Sequence, residues 1–179
     1  MLGYVKATET KRLKLSKVEN IRINTFSDAS YASDRDDRKS ITGYIVMIDK
    51  APIVWKTLKQ SCVTLSTMEA EYVAVTEATK ETLWLSNVIK ECADVNILPD
   101  EIPIPTIHVD NMATIRFSET AIENRRSKHI QVRLFFMRDL ISTRTIELQH
   151  INGTKNIADM LTKCGTKHEL LKFCKYVFG

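Results

Sequence analysis

Hydrophobic and polar residues follow two different periods along the chain, and the change of period separates strands from a long helix. Three early segments are rich in β-branched and aromatic residues and are joined by short polar connections, which predicts an antiparallel meander. These strands are predicted at residues 21–32, 40–48 and 53–58. From 70 to 92 the apolar positions recur at helical spacing, and Ser66 with Glu69 forms a capping box in front of them. This segment is predicted to be a long helix.

The second half of the chain alternates between short strands and helices. Strands are predicted at 106–110 and 145–151, and helices at 112–120, 127–141, 157–163 and 167–177. Parallel strands need a crossover between them, so a meander followed by β-α-β alternation predicts a mixed sheet covered by helices. The fold class is therefore mixed α/β, and 179 residues suit one such domain. Trp55 and Trp84 are expected in its core.

Composition narrows the range of functions. The formal net charge of +4 favours a local basic face over a polycationic, DNA-coating protein. The four cysteines are widely separated, without zinc-finger spacing, and are expected to be ordinary thiols. No segment approaches the roughly 18 consecutive apolar residues of a membrane span. We therefore expect a soluble intracellular protein that does not associate with a membrane.

Carboxylates near the predicted sheet edge are the candidate chemical groups. Asp28 lies late in the first strand and Asp110 ends the fourth, so pairing of these strands would bring both to one edge. On the long helix, Glu71 lies about 75° from the centre of the apolar stripe and Glu69 about 125°, which favours Glu71 for the site. Glu69 already serves the capping box. Asp159 lies in the first turn of a late helix, where it also complements the helix dipole.

Convergence of these four acids predicts a metal centre, although each acid alone is also explained as a turn former or helix cap. Without a cation, clustered carboxylates would repel one another and their pKa values would rise. Magnesium prefers oxygen ligands, and two ions about 3.5–4 Å apart can clamp a phosphodiester. The prediction is two Mg²⁺ ions, with Mn²⁺ as a substitute, bound by four residues: Asp28, Glu71, Asp110 and Asp159.

Five collinear motifs cover nearly the whole chain and resemble the ribonuclease H region of copia-type retrotransposon Pol polyproteins. They are SDASYASDRDDRKSITGY, LSTMEAEYVAVTEATKETLWL, VDN, RSKHIQVRLFFMRD and LQHINGTKNIADMLTK. The metal-binding acids of that family fall on Asp28, on the second glutamate of MEAEY (Glu71), on Asp110 of VDN and on Asp159 of IADMLTK. Departures from the family pattern leave these four acids intact and occur at Ser30, Gln131, Phe135 and Cys164.

The resemblance implies a fold, an activity and a setting. The fold would be ribonuclease H-like, a mixed five-stranded sheet flanked by helices with the first and fourth strands adjacent. The activity would be two-metal hydrolysis of the RNA strand of RNA–DNA hybrids during reverse transcription, with the reverse transcriptase region of the same polyprotein as partner. The setting would be a virus-like particle in the cytoplasm, or the nucleus. The expected domains are a connection-derived lead-in at 1–20, the ribonuclease H domain at 21–165 and a C-terminal helical tail at 166–179.

Substrate contacts are predicted beside the acids. A basic cluster could neutralise phosphates, although a solvated charged helix would look the same. It contains Arg125, Arg126, Lys128, Arg133 and Arg138. Ser66, Thr67 and Asn111 are candidate contacts to 2′-hydroxyls. His150 precedes the short NGTKN turn on a strand, so we do not assign it the proton-transfer or product-release role of the loop histidine in many cellular ribonucleases H.

Two alternatives explain the same acids. Integrase and transposase cores also hold metals on carboxylates, but their usual order is two aspartates followed by a late glutamate, whereas here glutamate comes second. A catalytically weak or domesticated domain that only binds nucleic acid or protein would be expected to lose carboxylates. All four are present in this sequence.

Overall fold

A mixed five-stranded sheet is the centre of the computed structural model, which describes residues 6, 9–13, 20–94, 102–119, 128–163 and 165–177. Its strands are β1 (Ile23–Ser30), β2 (Ile41–Ile48), β3 (Ala51–Lys59), β4 (Thr106–Val109) and β5 (Glu147–His150), in the spatial order β3-β2-β1-β4-β5. The first three pair antiparallel, whereas β4 pairs parallel with both β1 and β5. The predicted mixed sheet, with its first and fourth strands adjacent, is confirmed.

Helices cover this sheet. Within the described residues they are α1 (Thr67–Asp94), α2 (Met112–Glu119), α3 (Lys128–Ser142) and α4 (Lys167–Val177). The predicted capping box starts α1, because the Glu69 amide donates to Ser66 Oγ at 3.2 Å and the Leu65 amide donates to Glu69 Oε2 at 2.8 Å. In the part of the chain that the structure describes, no helix combines the length and apolarity needed to cross a bilayer.

The α-helix predicted over 157–163 is wrong. Two short 3₁₀ helices, Gly153–Lys155 and Ile157–Leu161, follow β5 instead. The Asn156 side chain accepts from the Ala158 amide, and the Thr162 amide donates to the Asp159 carbonyl oxygen three residues back at 3.2 Å. Contacts of this segment with the sheet favour the 3₁₀ helix, which is wound more tightly than an α-helix and is common in short stretches.

The two faces of the sheet pack against different helices. On β2, Tyr44 and Val46 contact the α1 side, whereas Ile45 and Met47 contact the second 3₁₀ helix and α4. This alternation is the two-residue period of a strand that is buried on both faces. A third cluster packs β4 against α1, α2 and α3. The core therefore lies on both sides of the sheet.

The expectation that both tryptophans are buried in the core is wrong. Trp55 is 48% exposed because it lies on β3, the edge strand of the sheet. Trp84 is 54% exposed because the buried side of α1 includes its neighbour Leu85, and adjacent helical residues differ by about 100° in direction. The described cysteines, Cys62, Cys92 and Cys174, are free thiols, as expected.

Candidate metal centre

Strand register brings two of the predicted acids together. Parallel pairing of β1 with β4 sets Phe26 opposite His108, and the two rings stack with centroids 4.6 Å apart. Asp28 and Asp110 each follow two residues later along these parallel strands. Because side chains alternate across a strand, each aspartate lies on the same face as the ring before it. The neighbouring strands thus place both carboxylates at one edge of the sheet.

Glu71 reaches the same edge from the beginning of α1. The Ala29 amide, next to Asp28 on β1, donates to Glu71 Oε1 at 3.3 Å. The side chains of Asp28, Glu71 and Asp110 each offer a carboxylate oxygen within 4.8 Å of the others, and we call these three residues the triad. Asp28 and Glu71 are only 3% and 4% exposed, and Asp110 is half-buried. Glu69 remains in the helix cap, away from the triad.

The triad is electrostatically strained as an isolated group. Burial, followed by the nearby carboxylates of Asp28 and Asp110, raises the pKa of Glu71 to about 9. Burial also raises the pKa of Asp28, against the opposing effect of a hydrogen bond from Thr162. Glu71 Oε2 is buried and has no hydrogen-bond partner among the residues that the structure describes. One carboxylate oxygen of the triad is therefore not engaged by the described residues around it.

Asp159, the fourth predicted acid, lies beside the triad but not within it. It lies on the second 3₁₀ helix, its side chain is 37% exposed, and Oδ1 pairs with Lys163 Nζ. That ammonium also lowers the pKa values of Asp28 and Glu71, though less than burial raises them. The Asp159 side chain lines a separate pocket of about 240 Å³ between the 3₁₀ helices and α4. The structure thus brings three of the four acids together and sets the fourth next to them.

An open cleft of about 610 Å³ lies over the triad. Its other lining residues include Ser30, Tyr31, Thr67, Asn111, Met112 and Lys163. Thr67 and Asn111, two of the predicted substrate contacts, are therefore at the site, and the Asn111 side chain also caps α2 by accepting from the Ala113 amide at 2.9 Å. Ser66 is engaged as the cap of α1 instead.

Sequence reasoning missed three residues of this site. Lys163 and the aromatic Tyr31, which is 42% exposed, line the cleft, and Thr162 Oγ1 donates to Asp28 Oδ2. Thr162 and Lys163 follow Asp159 by three and four residues, a spacing that puts side chains on one side of a helical turn. That spacing was the available signal for both residues.

The predicted basic cluster is only partly described. Arg125 and Arg126 lie outside the described residues, as does the side chain of Lys128. Two further arginines have partners within the protein. Arg133 Nη2 lies 3.2 Å from Glu77 Oε1, and Arg138 Nη2 donates to the Phe117 carbonyl oxygen at 3.5 Å.

His150 is not part of the triad. The ring is exposed, and its Nε2 lies 3.2 Å from the backbone oxygen of Asp110. The contact joins the ends of β5 and β4 and involves no carboxylate oxygen. It is consistent with a structural part for this histidine at the sheet edge.

Similarity to known proteins agrees with this architecture. A retrovirus-related Pol polyprotein from transposon TNT 1-94 of Nicotiana tabacum is 34% identical over 179 residues, which is 100% of this chain and 13% of that polyprotein. The corresponding polyprotein from transposon RE1 of Arabidopsis thaliana is 30% identical over 163 residues, 91% of this chain and 11% of its own length. The chain is homologous to one segment of transposon Pol polyproteins. No protein-family model matches the sequence.

Solved structures identify the fold. LC11-RNase H1, isolated from compost by a metagenomic approach, superposes with a TM-score of 0.57 at 16% identity, covering 79% of this chain and 92% of that one. A structure of LC11-RNase H1 in complex with an RNA/DNA hybrid gives a TM-score of 0.52 at 15% identity, with 78% and 92% covered. The transposon homologue therefore has the ribonuclease H fold, as the sequence resemblance predicted.

Proposed function

We propose that this chain cleaves the RNA strand of RNA–DNA hybrids endonucleolytically during retrotransposon reverse transcription, using two divalent metal ions. The observation behind this proposal is the triad, whose carboxylate oxygens lie within 4.8 Å of one another at one edge of a ribonuclease H fold. Two similarities support it. The sequence relatives are named as Pol polyproteins of transposons, and LC11-RNase H1 has this fold and has been crystallised with an RNA/DNA hybrid.

The triad fits a divalent cation. Its donors are all carboxylate oxygens, the ligand type that Mg²⁺ and Mn²⁺ prefer. Glu71 Oε1 accepts from the Ala29 amide, whereas Oε2 has no hydrogen-bond partner in the described part of the chain, so one oxygen is held and the other is available. Proximity of three carboxylates in a buried place is unfavourable unless positive charge accompanies them. We assign Mg²⁺ as the ion used in the cell.

Each part of the site has a separate task in the proposed reaction. When bound, two divalent ions supply an activated water and neutralise charge at the phosphodiester. Asp28, Glu71 and Asp110 would hold them, and Asp159 would complete the ligand set from the adjacent segment. Asp28 and Glu71 are held by the Thr162 hydroxyl and the Ala29 amide respectively, so their carboxylates are oriented before substrate arrives.

The cleft lining suits a nucleic-acid substrate. Thr67 and Asn111 stand beside the triad with a hydroxyl and an amide, groups that can contact the 2′-hydroxyls that distinguish RNA from DNA. The Lys163 ammonium lines the same cleft and would attract backbone phosphates. We propose that Arg125, Arg126 and Lys128 extend this grip along the hybrid.

The rest of the polyprotein sets the proposed context. This chain corresponds to 13% and 11% of the two polyproteins named above, so other regions would act with it. We propose the reverse transcriptase region as its partner and a virus-like particle, in the cytoplasm or the nucleus, as its setting. Cleavage would then remove template RNA after DNA synthesis.

A cleavage assay with charge-removing variants tests the proposed function. The purified chain is expected to cut labelled RNA within a hybrid when Mg²⁺ or Mn²⁺ is present and to leave double-stranded DNA intact. Asp28→Asn and Glu71→Gln should each lower the rate about a thousandfold or more, equivalent to about 4 kcal/mol of transition-state stabilisation. Such a loss follows if both carboxylates hold the ions.

Glu69→Gln is the matched control, because Glu69 lies on the same helix but in the cap rather than the triad. Its amide oxygen can still accept from the Leu65 amide, so the rate should stay within about threefold of wild type. Unchanged cleavage by both triad variants would refute the assigned site. Binding of hybrid without any cleavage by the wild-type chain would refute the assigned activity.

A further inference from the structure

The segment that carries Asp159 is attached to the sheet by side chains instead of strand pairing. Asn156 Nδ2 donates to the Ser27 carbonyl oxygen at 2.9 Å, and Thr57 Oγ1 donates to the Leu161 carbonyl oxygen at 2.7 Å. Its last attachment is Thr162, which follows the 3₁₀ helix directly. These contacts hold residues 156–162 across β3, β2 and β1, on the same face as Asp28.

Thr162 contacts both the triad and Asp159, the fourth predicted acid. Its Oγ1 donates to Asp28 Oδ2 and also lies 3.0 Å from the backbone oxygen of Asp159. The side chain is 8% exposed, and Asp28 is 3% exposed, so water does not readily replace this contact. A β-branched side chain has few χ1 rotamers, which keeps the hydroxyl in place. One side chain thus contacts a triad residue, Asp28, and the backbone of Asp159.

Gly43 leaves the space that this contact needs. Gly43 lies on β2 and pairs directly opposite Asp28 of β1 and Thr57 of β3. A Cβ atom there would lie 2.7 Å from Thr162 Cγ2 and 2.8 Å from Leu161 Cβ, closer than such atoms approach in proteins. The close fit of Thr162 over Gly43 therefore fixes the hydroxyl beside Asp28.

We propose that Thr162 is a positioning residue that orients the Asp28 carboxylate and so sets the separation between the triad and Asp159. Hydrogen bonding to one carboxylate oxygen leaves the other free to bind a cation, the arrangement that supporting residues give to metal ligands. Thr162 itself supplies no metal ligand in this proposal. The proposal rests on the proposed metal-dependent function, which the experiment below tests separately.

Calorimetric titration of Mn²⁺ into the 179-residue chain provides the first test. Thr162→Val keeps the shape of the side chain and removes the hydroxyl, so the Mn²⁺ dissociation constant should rise roughly 10–100-fold. Thr162→Ser restores the hydroxyl and should recover affinity to within about threefold of wild type. Thr57→Val is the matched control, because it removes a hydrogen bond to the same segment without touching an acid. Wild-type affinity in Thr162→Val would overturn the proposal, and so would an equal loss in Thr57→Val.

Thermal unfolding of the metal-free chain gives a second, independent test. Melting temperatures are compared for wild type, Thr162→Val, Asp28→Ala and the double variant. A hydrogen bond to a charged group should make the double variant depart from additivity by about 3 °C or more. Additive shifts would overturn the positioning role. If the melting temperatures are non-additive but the wild-type chain binds no Mn²⁺, the contact between Thr162 and Asp28 is supported and the proposed metal-dependent function is refuted.

Discussion

The triad and the segment 156–163 hold their acids by opposite means. Asp28, Glu71 and Asp110 lie in or directly beside regular elements, where strand register and the long helix force like charges to within 4.8 Å. Asp159 lies on a short 3₁₀ helix and is paired with Lys163 four residues later. Regular structure concentrates negative charge, whereas the irregular segment carries its own cation.

This difference predicts where the chain depends on a metal and where it depends on packing. The triad has two deeply buried acids with raised pKa values, so its contribution to the free energy of unfolding depends on protonation and on added cations. The acid of the segment, Asp159, is half-exposed and ion-paired with Lys163, so the stability of the segment depends on its contacts with the sheet. Three experiments test whether the triad and the segment differ in this way.

The largest effect is expected from pH acting on the triad. The pKa of Glu71 is raised from 4.5 to about 9. At pH values between these two, the folded chain therefore holds a proton on Glu71 that the unfolded chain has released. Stability of the metal-free chain should therefore fall as pH rises through this window, by up to about 4 kcal/mol between about pH 5 and about pH 8. Urea unfolding at fixed ionic strength measures this fall.

Glu71→Gln is the variant that isolates the effect. It cannot release the proton, so most of the pH dependence should disappear, apart from the part that Asp28 contributes through its own raised pKa. Saturating Mn²⁺ should also raise the stability of wild type most at the higher pH, because the carboxylates bind the ion only in their ionised form. If Glu71→Gln keeps the wild-type slope, the triad is not electrostatically strained.

The triad was largely predictable from the sequence, because it depends on local periodicity. Position at the ends of two predicted strands places Asp28 and Asp110 at one sheet edge once those strands pair, and the helical angle distinguishes Glu71 from Glu69. The capping box predicts the start of α1, whereas the adjacency of β1 and β4 is implied by the family resemblance. Local periodicity does not predict the exposure of Trp55, because the position of β3 at the sheet edge is decided by the order of strands in the finished sheet.

The segment was not predictable, because its conformation depends on distant residues. The spacing of apolar residues after Asn156 suits an α-helix, but contacts to Ser27 and Thr57, far away in the sequence, accompany a 3₁₀ helix instead. The role of Gly43 depends on register and on a segment more than a hundred residues later. Tertiary contacts of this kind override local preference.

A smaller effect is expected when the segment is displaced by Gly43→Ala. The new Cβ would also lie 3.1 Å from the Ala158 backbone oxygen, so backbone must move as well as the side chains of Leu161 and Thr162. Overpacking of this kind costs about 1–3 kcal/mol, a drop in melting temperature of roughly 2–12 °C. Hybrid cleavage should fall too, because Asp159 moves away from the triad.

Gly165→Ala provides the control for adding a methyl group near the same segment. Its Cβ would meet chiefly the flexible end of Met160, at 2.5 Å from Cε, which can rotate away. Its melting temperature should stay within about 2 °C of wild type, a shift of less than 1 kcal/mol. Equal losses in both variants would mean that the close approach over Gly43 has no special importance.

The smallest effect is expected from Asp159→Asn. The amide keeps one oxygen that can serve as a ligand and loses only the charge, and Asp159 lies outside the triad, so cleavage should fall about tenfold, equivalent to about 1.4 kcal/mol. Lys163→Gln breaks the same ion pair and keeps the acid, and it also removes a proposed phosphate contact, so only a loss larger than that of Lys163→Gln is assigned to the acid itself. Rates measured at saturating Mg²⁺ should then rank Asp159→Asn well above Asp28→Asn. If the two aspartate variants are equally inactive, Asp159 is a full member of the metal centre, and the different construction of the two parts has no catalytic consequence.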